Sequence, residues 1–202
     1  MHDAIFTRRL ELGYRSQLIV ALLLATVLIL TRGHHFPTLT QTIPSASWAI
    51  FFLAGVYLRS AWPLVALLGL AAAVDYAAIA WGGVSDFCVS PAYVALVPAY
   101  STLWLAGRWY TTHYRFAPST LLPLGLAVIV GTAACELISS GSFYFYSGRV
   151  TDPTAAGFGR TLLAYLPRSL QSVVFWIVIA TLAHVAVSLR RSSNVIRSHR
   201  LK

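Results

Sequence analysis

Charge is scarce in this sequence. Six of the 202 residues are acidic and 10% carry any charge, against roughly 25% in soluble domains. With 57% hydrophobic residues, the chain lacks the polar groups to cover its own surface in water, which excludes an ordinary soluble domain. The two cysteines, Cys88 and Cys135, are too few and too far apart to build a zinc site by themselves. No G-x-x-x-x-G-K-[ST] phosphate cradle occurs, so the chain has no ATP site. Neither H-E-x-x-H nor G-x-S-x-G occurs, which leaves proteolysis and lipase-type hydrolysis without a motif. Gly157-Phe158-Gly159 is too sparse for a dinucleotide loop. Linkers, internal repeats and low-complexity blocks are missing too, so a single transmembrane domain over 1–202 is expected.

What the sequence has instead is a series of long apolar runs, at about 16–31, 44–58, 61–81, 91–108, 118–139 and 162–188. In lipid every backbone group needs an internal partner, so spanning segments are helices or closed barrels. These runs are too long and continuous for barrel strands, and they predict an all-α polytopic membrane protein of six transmembrane helices. The second run is short of the ~20 residues a span takes, and Arg59 would snorkel from its end to the interface. The first run has the flanks of a signal peptide, but Thr31-Arg32-Gly33-His34-His35 offers no small-x-small cleavage site. It is therefore expected to stay as an uncleaved first span.

The formal charge of +9 and the isoelectric point near 10.1 would suit a nucleic-acid binder, but the placement of the basic residues does not. Arg8, Arg9 and Arg15 precede the first run, Arg59, Arg108 and Arg115 fall between later ones, and Arg190, Arg191, Arg197, Arg200 and Lys202 follow the last. Arg32, Arg149, Arg160 and Arg168 fall on the other side if the runs alternate. This is the positive-inside pattern. It predicts both termini in the cytoplasm, a cytoplasmic membrane with its lipid bilayer as the surroundings, and no nucleic-acid partner. The outer connections are then 32–43, 82–90 and 140–161.

Charges within spans are costly, so Asp75 and Glu136 mark the first places to look for function. Both fall toward the outer ends of their runs. Asp86, Phe87 and Cys88 occupy the outer loop after the third run, and Tyr93 opens the fourth. The segment Ser142-Phe143-Tyr144-Phe145-Tyr146-Ser147-Gly148 adds Tyr144 and Tyr146 on the same side. These residues would converge on one outward-facing pocket. The alternatives are that Asp75 and Glu136 pair with neighbouring helices and that the tyrosines are interfacial belt residues. Cys88 has three readings: a small apolar residue, half of a disulfide with Cys135, or a thiolate ligand whose deprotonation a metal must drive, since Asp86 disfavours the thiolate. His34-His35 lacks the spacing of a helical ligand pair and reads as a solvated loop. Ala21 and Ala25 set two small residues on one helical face, which lets another helix approach closely.

Six spans, the Ala-x-x-x-Ala helix and a pocket built from outer loops resemble the substrate-binding S components of energy-coupling factor vitamin transporters. Val74-Asp75-Tyr76 and Phe87-Cys88-Val89-Ser90-Pro91-Ala92-Tyr93 resemble one branch of them, the BtuM family of solitary S-component-like proteins of bacterial inner membranes. The resemblance spans the chain in length and topology, and its specific motif is confined to these short segments. It implies an S-component-like bundle that takes up cobalamin as its bound substrate. Cys88 would coordinate the corrinoid cobalt, Asp75 and Tyr93 would shape the site, and Phe87, Asp86, Glu136, Tyr144 and Tyr146 would be substrate-binding candidates. It further implies removal of cyanide from cyanocobalamin through Cys88. Ala21 and Ala25 would dock an energy-coupling module of a transmembrane component plus ATPases. Two other readings stand beside it: an S component for another vitamin, and a non-catalytic membrane scaffold closed by a Cys88–Cys135 disulfide.

Overall fold

The computed structural model describes residues 12–32, 44–83 and 85–200, and their side chains except those of Cys88 and 191–200. Arg8, Arg9, His34, His35 and Lys202 lie outside the described residues. The architecture is all-helical, with no strand among the described residues. Among the described residues six α-helices follow in order: α1 (Tyr14–Arg32), α2 (Ser47–Tyr57), α3 (Trp62–Gly82), α4 (Leu96–His113), α5 (Leu121–Tyr146) and α6 (Ala155–Arg200). Short 3-10 turns at Asp86–Cys88, Pro91–Ala95 and Pro118–Thr120 punctuate the connections.

Among the described residues four helices, α1, α3, α5 and α6, are long and apolar enough to cross a membrane. In α1, α3 and α6 only 11% of the most apolar stretch is buried inside the protein. Leu18, Ile19, Leu22 and Leu23 of α1, Val65 of α3, and Leu163 and Leu182 of α6 all face outward. A belt of this kind is tolerable against hydrocarbon and a severe liability in water.

The short second run forms an 11-residue helix, about 16 Å long against a hydrocarbon core of about 30 Å. What it lacks in length it makes up in burial. Ala49, Ile50, Phe51, Phe52, Ala54 and Val56 are all buried, and α2 packs against each of the other five helices. It is the central post of the bundle. Its tightest neighbour is α4. A Cβ on Gly55 would collide with the Trp104 carbonyl, and one on Gly107 would collide with the Phe52 carbonyl. The two backbones touch where either helix has no side chain, as small residues permit between membrane helices.

Several boundaries differ from the hydropathy reading, because hydropathy marks the apolar part of a helix and not its ends. The helix of run 118–139 continues to Tyr146, so the expected connection 140–161 shrinks to 147–154. The last helix begins at Ala155, ahead of the apolar run, and carries Pro167 within it. The fourth run starts as a 3-10 turn and its α-helix runs on to His113. At the end of α3 the break falls as expected: Gly83 adopts φ 68°, a left-handed conformation that glycine takes without strain, and its N–H bonds the Ala78 carbonyl.

The Gly107→Ala variant is expected to lose about 1–3 kcal/mol through forced separation of α2 and α4. Gly69→Ala, on α3 where an added Cβ meets nothing within 4 Å, should be neutral or gain up to about 1 kcal/mol from helix propensity. Thermal unfolding of the detergent-solubilised variants checks the contrast; equal midpoints would contradict the packing described.

Candidate functional site

A cavity of about 1260 Å³ opens at one end of the bundle. It lies where the C-terminal ends of α1, α3 and α5 meet the N-terminal ends of α2, α4 and α6. The α3 wall gives Asp75, Ala78 and Ile79, and the loop after it gives Ser85, Phe87 and Val89. Tyr93, Leu96 and Tyr100 come from the segment leading into α4, and Ser139, Ser140, Phe143 and Tyr144 from α5. The α6 wall gives Thr161, Tyr165, Arg168, Ser169, Ser172 and Val173.

At the deep side an ion pair joins α1 to α3. Arg32 Nε donates to Asp75 Oδ1 and Arg32 Nη2 to Asp75 Oδ2, each at 2.7 Å. The remaining guanidinium nitrogen, Nη1, reaches Tyr100 Oη at 3.0 Å and Ser47 Oγ at 3.3 Å. Tyr93 Oη donates to Asp75 Oδ2 at 2.6 Å. Both carboxylate oxygens are thus engaged by donors. The fork of an arginine matches a carboxylate in this bidentate way, and such charge-assisted bonds are the strong ones. Tyr100 in turn stacks on Phe51 of the central helix at 4.4 Å between ring centres, so the polar cluster is seated on the apolar core.

Glu136 is buried behind the cavity wall. It accepts from Ser140 Oγ one turn on, and from Ser169 Oγ of α6 at 2.6 Å. Ser172 Oγ donates to the Ser45 carbonyl at 2.7 Å and Trp176 Nε1 to the Pro44 carbonyl at 2.9 Å. Together these bonds fasten α6 to α5 and to the start of α2. At the rim Phe87 packs on Phe143 at 5.7 Å, and the Arg149 guanidinium lies 5.1 Å from the Phe87 ring centre.

Of the residues expected from sequence, Asp75, Phe87, Tyr93 and Tyr144 line this cavity. Glu136 supports its wall through Ser140 and Ser169. Tyr146 is exposed and, like Asp86, is not among the residues lining it. Cys88 ends the 3-10 turn Asp86–Cys88, between the lining residues Phe87 and Val89, and its side chain lies outside the described residues. Cys135 is a free thiol and fully buried. Ala21 and Ala25 are half-buried and pack against the chain's own core.

The expected outer connection 32–43 begins at Arg32, whereas the structure makes Arg32 the last residue of α1 and the partner of Asp75. The sequence carries a signal for it: a carboxylate at the depth of Asp75 calls for a cation, and Arg32 ends α1 at the same level. The serines of the wall, Ser139, Ser140, Ser169 and Ser172, are not singled out by the hydropathy reading, although 136, 139, 140, 143 and 144, like 161, 165, 168, 169 and 172, recur at helical spacing.

A second, smaller cavity of about 320 Å³ lies at the opposite end, walled by Phe52, Val56, Phe116, Leu121, Leu124 and Ile177 among others. His184 stands in it between two hydroxyls, with Tyr114 Oη 2.8 Å from Nε2 and Tyr57 Oη 3.3 Å from Nδ1. Burial pushes the Tyr114 hydroxyl, just past the end of α4, up to about 12, so it stays protonated at neutral pH. Among the described residues no group of three or more His, Cys, Asp or Glu side chains comes together in a way that could hold a metal ion.

No protein-family model matches the chain, and no curated protein matches it.

Removing one partner of the Arg32–Asp75 pair should strand the other charge in a partly buried site. Arg32→Leu is expected to cost on the order of 3 kcal/mol, read as a lowered thermal midpoint. The charge-exchanged double variant Arg32→Asp/Asp75→Arg should recover part of the loss; a double variant no better than the sum of the singles would contradict the pairing.

Proposed function

We propose that this chain is a multi-pass protein of a bacterial cytoplasmic membrane that binds a corrinoid in the large cavity and takes part in its uptake. Six crossing segments with both termini in the cytoplasm belong to the same reading. Its support is the distribution of arginines: Arg15, Arg59, Arg115 and Arg190 lie at the end of the bundle away from the large cavity, which turns the cavity outward under the positive-inside tendency. The short α2 crosses with the help of its flanks and of local thinning of the bilayer.

The observation that carries the proposal is the size and lining of the cavity beside the cysteine-bearing turn. At about 1260 Å³ it exceeds the roughly 300–1,000 Å³ of sites for drug-sized ligands, which favours a large ligand. A corrinoid presents a broad macrocycle edged with amides. Phe87, Phe143 and Tyr144 offer rings for its face, and the hydroxyls of α5 and α6 offer partners for its edge. A thiolate is a soft ligand suited to cobalt, and binding the metal expels the thiol proton. In cyanocobalamin the cyanide then leaves as the anion with its bonding pair, the thiolate donating from the opposite face, and cobalt keeps its oxidation state. Coupling to an energy-supplying ATPase module is part of the proposal, since the chain carries no phosphate cradle. The scaffold alternative is disfavoured by the free, buried thiol of Cys135.

The native protein, incubated with cyanocobalamin, should take up the ligand, develop a thiolate–cobalt absorption band and release cyanide. In Cys88→Ala both the band and the release should disappear. Cyanide release at the native rate from the variant would overturn the role of Cys88, and failure of the native protein to bind any corrinoid would overturn the proposal.

A further inference from the structure

Charges lining the large cavity are not all accounted for. Arg32 is neutralised by the bidentate contact to Asp75, and both oxygens of Asp75 are engaged by Arg32 and Tyr93. Glu136 behind the wall is capped by Ser140 and Ser169. Arg168 is different. It lines the cavity from α6 and, among the described residues, makes no ion pair, hydrogen bond or cation–π contact.

The hydroxyls around it sharpen the point. Of the α6 residues lining the cavity, Thr161 donates to the Gly157 carbonyl, Ser169 to Glu136 and Ser172 to the Ser45 carbonyl. Their protons are directed into the fold, so toward the cavity they offer lone pairs. The donors that α6 has left are the Arg168 guanidinium and the Tyr165 hydroxyl. Three residues apart, they are neighbours on one helical face. A cation with five N–H groups beside a phenolic O–H is a donor set for an anionic oxygen group, and the planar fork of arginine suits phosphate in particular.

We infer that Arg168, assisted by Tyr165, recognises an anionic phosphate group carried by the ligand. The inference rests on the corrinoid reading and adds to it: the α6 wall selects corrinoids that bear the phosphate of the nucleotide loop over those that lack it. Arg168 is a specificity-determining residue in this account, and cobalt coordination does not depend on it.

Equilibrium binding of cobinamide and of cobinamide phosphate, which differ in the phosphate, to the native protein and to Arg168→Gln and Arg168→Lys separates the outcomes. The native protein should prefer cobinamide phosphate by about tenfold or more, and added salt should weaken that preference. Arg168→Gln should lose the preference while keeping the native affinity for cobinamide, which also reports a folded site; Arg168→Lys should keep part of it. No preference in the native protein, or an undiminished one in Arg168→Gln, would overturn the inference while leaving corrinoid binding in place. Absence of binding to cobinamide, cobinamide phosphate and cobalamin alike would instead bring down the corrinoid reading itself, and this inference with it.

Discussion

A charge at the depth of Asp75 is affordable only if another charge answers it, and the rest of this structure is arranged around that requirement. Arg32 comes from the last turn of α1, Asp75 from the second half of α3, Tyr93 from the turn before α4 and Tyr100 from α4 itself. With Ser47 at the start of α2, the ion pair therefore ties together four helices and a turn. The pair is partly buried, with side-chain exposures of 10% for Arg32 and 27% for Asp75. Its attraction is screened less than that of a surface pair, and either partner alone would be a liability. The fourfold coordination of the guanidinium by Asp75, Ser47 and Tyr100 satisfies the donors that desolvation would otherwise penalise.

The apolar and polar parts of the fold meet through α2. This helix is shorter than the hydrocarbon core is thick and too buried to face lipid, and its first residue, Ser47, belongs to the polar cluster while Phe51, one turn on, lies under the Tyr100 ring. Gly55 and Gly107 let it lie against α4 without intervening side chains. A short central helix surrounded by longer ones leaves space beyond its end, and the large cavity opens there. Its volume is a consequence of the shortness of α2 as much as of the residues that line it.

Much of the fold was legible in the sequence, because hydropathy over a ~20-residue window is a strong signal in lipid-facing helices. The apolar runs became helices, and Gly83 ended α3 where a break was expected. The ends of α5 and α6 were not legible by that route. Ser140-Gly141-Ser142 looks like a loop when only hydropathy is read, yet it continues α5, with Ser139 and Ser140 facing the cavity and the turn held by the Ser140–Glu136 bond. Of the site, Asp75, Tyr93 and the cysteine-bearing turn were found from charge cost and local motif. Arg32 and Arg168 were not, because a basic residue near a span end is usually an interfacial anchor, and only three-dimensional proximity distinguishes a pair from an anchor. Ala21 and Ala25 show the same limit: small residues four apart mark a close contact without saying with which helix, and here they pack inside the chain.

The central claim is that the cavity holds a corrinoid with cobalt bound to the Cys88 thiolate. X-ray absorption at the cobalt edge of the loaded native protein tests this most directly, since sulfur and nitrogen or oxygen scatterers are distinguished by their bond lengths and backscattering. A single sulfur bonded to cobalt, absent in corrinoid-loaded Cys88→Ser protein, is the predicted result. A cobalt environment of nitrogen and oxygen alone in the native protein would contradict it.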